Sequence, residues 1–174
     1  MKGRTSNSTG IKDWADIDWK VVNTQVSKLL HRIFRATRNA RIGSGSWKKV
    51  RSLMKLLQRS FSALLSAIQK VTQKNKGKNT AGIDGFIAID RQQRSKLMNS
   101  WNWTEALPTR RVYIPKRNGK KRPLGIPAIK DRIGQAIMKM AYEPVFEISF
   151  ETQSYGFRPG RSCHDAIEDI FQTL

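Results

Sequence analysis

Residues 110–126 read Arg110-Arg111-Val112-Tyr113-Ile114-Pro115-Lys116-Arg117-Asn118-Gly119-Lys120-Lys121-Arg122-Pro123-Leu124-Gly125-Ile126. Positions 111 to 115 favour a strand, Arg117-Asn118-Gly119 is a polar tip, and positions 121 to 126 return, so the stretch is expected to form a β-hairpin with Asn-Gly in its turn. Lys116, Arg117, Lys120, Lys121 and Arg122 crowd within seven positions. Like charges at that density oppose a lone hairpin unless a polyanion lies between the side chains, which makes a phosphate-rich ligand the natural candidate. The plainer alternative is an edge hairpin whose lysines discourage aggregation.

Working outward, 174 residues with 39% hydrophobic content can bury one sizeable core, or one core plus an appended helical layer. The net charge is +20 and the pI about 10.8. Residues 1 to 80 hold 18 Lys/Arg against three Asp, and 81 to 174 hold 15 against ten Asp/Glu. No acidic residue lies between Asp18 and Asp84. A field of one sign resists compaction, so a nucleic-acid partner explains this distribution better than a solvated surface does. The single cysteine, Cys163, excludes an internal disulfide and a cysteine-built metal site. The N-terminus is polar and no apolar run approaches a membrane span, so the expectation is a cytoplasmic protein with no membrane partner.

Residues 1 to 10 are small and polar and are expected to be mobile. A helix is expected from Asp16 to Asp18, where acids suit the N-terminal end, to about Arg38, with Trp19, Val22, Val26, Leu29, Leu30 and Ile33 on one face. Gly43 to Ser46 interrupts it, and Ser46 can cap a second, longer helix from Trp47 to about Gln73. That helix repeats apolar residues at 50, 53, 57, 61, 64, 68 and 71 and carries Lys48, Arg51, Lys55 and Arg59 opposite them. Together the two should form an antiparallel helical hairpin with a buried face and a cationic one. Residues 74 to 79 break the pattern, suggesting a basic helical arm at 1–79 and a second unit at 80–174. In that unit Asp84 suits a turn, a short helix spans about 90 to 99, and Trp101 and Trp103 pack between the units. Asp131 suits a cap for a helix through Tyr142 that Pro144 ends or kinks. A loop at 151 to 161 combines Tyr155, Phe157, Arg158 and Arg161 with glycines, and Ser162 with Asp165 opens a last helix.

Tyr113-Ile-Pro-Lys116, Lys121-Arg-Pro-Leu-Gly-Ile126, Asp131-Arg132 with Gln135, and Gln153-Ser-Tyr-Gly-Phe-Arg-Pro159 followed by Ser162 and His164-Asp-Ala-Ile167 resemble the N-terminal part of a group II intron-encoded reverse transcriptase, also called a maturase. The likeness is strong over about residues 80 to 174; the stretch before it resembles the family's N-terminal extension in position and basic character. It implies an α+β, predominantly helical chain: a basic helical arm joined to the fingers of a right-handed polymerase fold, with palm and thumb absent.

The resemblance also implies the chemistry. Polymerisation needs two Mg²⁺ ions bridged by palm aspartates, and the segments that carry them in the family are not in these 174 residues. This chain is therefore expected to be a fragment with no catalytic or metal-binding residue of its own, using Mg²⁺ only in the complete enzyme. By resemblance, Lys116 and Arg122 would grip the triphosphate of the incoming dNTP, and Arg110, Pro115 and Ile126 would lie over the templating base and its partner. Tyr155 and Arg158 would approach the template strand. The implied partners are intron RNA, an RNA template with a DNA primer, and dNTP, with self-association through a bare apolar face. Two other readings remain open: a non-catalytic RNA-binding splicing module working through residues 20 to 59, and a fragment of a retron-like reverse transcriptase.

Overall fold

Asp18 opens the first long helix: its carboxylate accepts the N–H groups of Lys20 and Val21 at 2.9 and 3.1 Å, which satisfies donors that a helix start leaves free. Helix α1 then runs Trp19–Arg41 and buries Val22, Val26, Ile33, Ala36 and Ala40. The computed structural model describes residues 10, 11 and 13–173, so the expectation for residues 1 to 9 lies outside it.

The helix expected from 47 to 73 is divided. Ser46 caps α2, Trp47–Gln58, through Lys48 N–H at 3.2 Å. At Ser60 the backbone turns extended (φ −70°, ψ 127°) and the hydroxyl accepts Ala63 N–H at 3.4 Å, starting α3, Phe61–Gln69, which closes in a π turn at Lys70–Lys74. A serine that bonds its own local backbone offers an alternative to the helical ladder. The break also redirects the apolar stripe. Val50, Leu53 and Leu57 pack with Val26, Ile33, Ala36 and Ala40 in one core cluster. Leu64, Leu65, Ile68 and Val71 join Trp14, Ile17, Val22, Met98 and Trp101 in another.

Asp90 and Gln93 form a reciprocal capping box on α4, Arg91–Ser100. Beyond it Trp101 is buried and meets Trp103 edge-on, ring centroids 5.7 Å apart. Helix α5, Ile129–Glu147, is the central element: Ile129, Ile133 and Ile137 are fully buried, and it packs against α1, α2 and α3. It begins earlier than expected, and Asp131 lies within its first turn rather than at the cap, accepting Leu107 N–H at 3.1 Å. It also runs through Pro144. Proline forfeits the one bond to the carbonyl four residues back, and here that loss falls one turn from the helix end, where Tyr142, Phe146 and Phe150 line up with centroids 6.1 and 6.5 Å apart. Helix α6, Cys163–Thr173, starts where Asp165 accepts Ser162 N–H at 2.6 Å.

The fold is thus predominantly helical with one small antiparallel sheet, β1 (Arg110–Pro115) and β2 (Lys121–Ile126). The core is continuous across position 79: α1 and α3 before it share a cluster with Met98, Trp101 and α5 after it. Gly82 makes that junction possible, because a Cβ there would come within 2.5 Å of the Ala128 backbone.

Candidate nucleic-acid interface

The hairpin's tip is a three-residue loop. Lys116 N–H bonds the Lys120 carbonyl at 2.8 Å, Gly119 N–H bonds the Lys116 carbonyl at 3.1 Å, and Gly119 has φ +77°. A type I turn followed by a left-handed glycine gives this geometry, so Gly119 is required at the second position of Asn-Gly. The register pairs Arg110 with Ile126, Val112 with Leu124, and Ile114 with Arg122. Because side chains alternate along strands and directly opposed residues share a face, Arg110, Arg122 and Ile126 fall on one face, and Lys116 follows β1 at the tip. Pro115, paired with Lys121, falls on the other. Both faces of the hairpin are largely exposed, Tyr113 and Ile114 among the most open positions. Seven Lys/Arg occupy residues 110–126 and no Asp or Glu does.

Arg132 fixes the hairpin's base. Its guanidinium donates to the carbonyls of Pro127 (2.9 Å), Gly77 (3.0 Å) and Thr80 (2.6 Å), tying the residue after β2 to the 77–80 stretch. Burial pushes its pKa down, with the Asp84 charge opposing that and the Arg110 charge adding to it. Nothing in the sequence pattern singled out this three-carbonyl clamp, since its acceptors lie on two distant loops.

On the arm, Lys48, Arg51, Lys55 and Arg59 are all exposed, on the side of α2 away from buried Val50, Leu53 and Leu57. The opposite flank holds what sequence reasoning missed. Lys49 faces Arg32, Arg35 and Asn39 of α1 across a cleft of about 260 Å³ floored by Ala36 and Leu53.

In the 151–161 loop the two predicted residues differ in setting. Arg158 is buried; it donates to both carboxylate oxygens of Glu147 (2.6 and 3.3 Å) and to the carbonyls of Glu151 and Ser154 (2.7 Å each), with Phe150 stacked at 5.3 Å. Those bonds hold the Glu147 carboxyl below its ordinary pKa. Arg158 therefore braces the loop from within. Tyr155 is half-buried beside Arg161, whose guanidinium sits 5.2 Å from the ring, while a hydrogen bond to Asp169 pushes the phenol's pKa up. Between them Phe157 projects fully into solvent with φ 60°.

The aspartates are committed locally. Asp84 accepts Phe86 N–H in its turn, Asp90 and Asp165 cap helices, Asp131 holds Leu107, and Asp169 meets Tyr155. Among the described residues no group of three or more His, Cys, Asp or Glu side chains is placed to hold a metal ion.

The sequence profile of the N-terminal domain of reverse transcriptase matches residues 14–101. Among curated relatives, the protein YkfC of Escherichia coli K12 is 46% identical over 114 residues, 61% of this chain and 30% of that protein. The group II intron-encoded protein LtrA of Lactococcus lactis is 41% identical over 102 residues, 55% of this chain and 17% of LtrA. The maturase-like protein 1 of Euglena longa is 27% identical over 164 residues, 91% of this chain and 35% of that protein. The chain thus spans about a third or less of the length of these relatives. With the matched domain covering half of its residues, the chain belongs to the reverse transcriptase and maturase family of group II introns, whose N-terminal domain it carries.

Proposed function

We propose that this chain is the substrate-holding fingers part of an RNA-directed DNA polymerase and maturase, binding incoming dNTP on its hairpin and intron RNA or template-primer on its basic arm. The observation that carries the reading is the hairpin register, which gathers Arg110, Arg122 and Ile126 on one face, with Lys116 directly after β1 at the tip. Lys116 supplies a mobile point charge and Arg122 a rigid fork, a combination suited to a triphosphate, whose oxygens diverge. Arg110 and Ile126, at the hairpin's base, offer a guanidinium plane and an apolar edge that stack on bases without reading their sequence. Pro115, on the other face, would act by stiffening β1 at its end rather than by touching the same base. On this reading residues 1–79 form the RNA-holding arm and 80–174 the fingers proper. Tyr155 serves the template side from its exposed edge, while Arg158 acts as the internal brace of that loop.

Nucleotidyl transfer on two Mg²⁺ ions would need converging carboxylates, and the aspartates here serve turns, caps and side-chain partners. This chain's part is to bind and orient; it carries no bond-making step. The test is a direct one. The isolated chain should bind structured RNA with an affinity that falls steeply with salt and should extend no primer with Mg²⁺ and dNTPs. Extension by rigorously purified chain would overturn the assignment of roles.

A splicing function in which the arm clamps intron RNA is compatible with the same structure. It is favoured by one observation, the unneutralised charge along α1 and α2, which carry no acidic residue between Trp19 and Gln58.

A further inference from the structure

We propose that the cleft between α1 and α2 walled by Arg32, Arg35, Asn39 and Lys49 seats backbone phosphates of structured RNA, and that this concave flank, not the outer stripe of α2, is the arm's principal RNA contact. The proposal rests on the reading of the arm as an RNA-binding element.

Helical geometry assembles the site. Positions 32, 35 and 39 follow one another at three- and four-residue steps along one flank of α1, and the antiparallel α2 sets Lys49 across from them. The floor is Ala36 and Leu53, both buried. A methyl at 36 leaves the cleft open where a longer side chain would fill it. Among the described residues, Arg32, Arg35 and Lys49 form no ion pair with an acidic side chain, and the sequence holds no Asp or Glu from 19 to 83. Unneutralised cations around an apolar floor focus positive potential into the cleft.

Asn39 contributes neutral donors from a fixed position. Its carbonyl accepts both the N–H of Ser44 (3.0 Å) and the Ser44 hydroxyl (3.3 Å), pinning the turn that sets the helix pair. Two guanidinium forks, an ammonium and the N–H groups of an amide make a donor-rich lining suited to an oxyanion with several oxygens. A phosphodiester backbone fits better than an isolated anion because the cleft opens along the α1 flank that also carries Lys28, so the charge continues beyond it. By contrast Lys48, Arg51, Lys55 and Arg59 are exposed on the side of α2 away from its buried face.

The experiment compares two charge-matched triple variants in salt titrations of binding to a stem-loop RNA: R32Q/R35Q/K49Q and K48Q/R51Q/K55Q. The cleft variant should lower the log-log salt slope by about two to three, and the stripe variant by less than one. Arg35→Lys keeps the charge but loses the fork, so affinity should fall several-fold with the slope unchanged. Equal slope losses in the two triples, or a loss confined to the stripe variant, would overturn the cleft while leaving the arm an RNA-binding element. No change in either would overturn the RNA-binding reading itself and the cleft with it. Both triples replace exposed side chains, so matched thermal melts establish that the fold is intact.

Discussion

Arg110 and Ile126 stand directly opposite each other at the base of the hairpin, on the face that Arg122 occupies nearer its tip. A guanidinium beside an apolar side chain at one end and a second guanidinium toward the tip give that face a cationic, amphipathic character.

In a polymerase-competent protein carrying this chain, Arg122→Ala or Lys116→Ala should raise the dNTP concentration needed for half-maximal rate by roughly ten- to a hundredfold, the value of a lost charge-assisted hydrogen bond of about 1.5–3 kcal/mol. Pro115→Ala, on the opposite face, should change it little. Steady-state primer extension against dNTP concentration gives both answers. RNA affinity of the chain itself should be nearly unaltered by any of the three.

Arg158→Ala should destabilise the protein by about 2–4 kcal/mol, because it leaves the Glu147 carboxylate and two carbonyls without their donor in a partly buried site. Urea denaturation would measure the loss, and Glu147→Gln should recover part of it in the double variant by removing the uncompensated charge. Wild-type stability in Arg158→Ala would show that the brace is dispensable.

Acid should loosen one specific junction. Asp13 bonds Arg91 at 2.6 Å, linking the 3-10 turn Trp14–Asp16 to α4, and the Arg91 hydrogen bond chiefly lowers its pKa from 3.8 to about 2. A carboxylate whose folded pKa lies below its unfolded one stabilises fully above the unfolded value and loses that contribution as pH falls through the folded one. The difference in melting temperature between wild type and Asp13→Asn should therefore be constant above about pH 5 and shrink towards pH 2. A gap independent of pH over that window would refute the pairing.

Helix α6 buries none of its residues, and Ile167, Ile170 and Phe171 are more than half exposed. An apolar stripe left in water favours association, so sedimentation should show concentration-dependent self-association that Ile170→Lys with Phe171→Lys abolishes. Monomeric behaviour of the wild type at high concentration would exclude it.

Much of the local structure was legible from short-range signals. Asp18, Ser46, Asp90 and Ser162 mark helix starts because capping needs only a side-chain oxygen and the next two or three N–H groups. The hairpin was legible because Asn118-Gly119 and the flanking strand residues decide it within 17 positions. Two elements were misjudged. Ser60 stopped a helix that apolar periodicity carried through it, because its hydroxyl offers the local backbone an alternative bond, and α5 starts at Ile129, ahead of Asp131, whose carboxylate accepts Leu107 N–H instead of capping it.

Most helix starts, the one-sign charge of residues 19–83 and the cationic hairpin were settled by sequence alone, since caps, turns and charge act over a few neighbouring residues. Tertiary structure decided what distant residues do together. It buried Arg158 against Glu147 and two carbonyls. It joined α1 and α3 to α5 in one core across position 79, and it brought Lys49 to Arg32 and Arg35 by laying α2 antiparallel to α1. Each of these depends on which surfaces meet when the apolar faces leave water, and that choice is made by the whole set of packed elements at once.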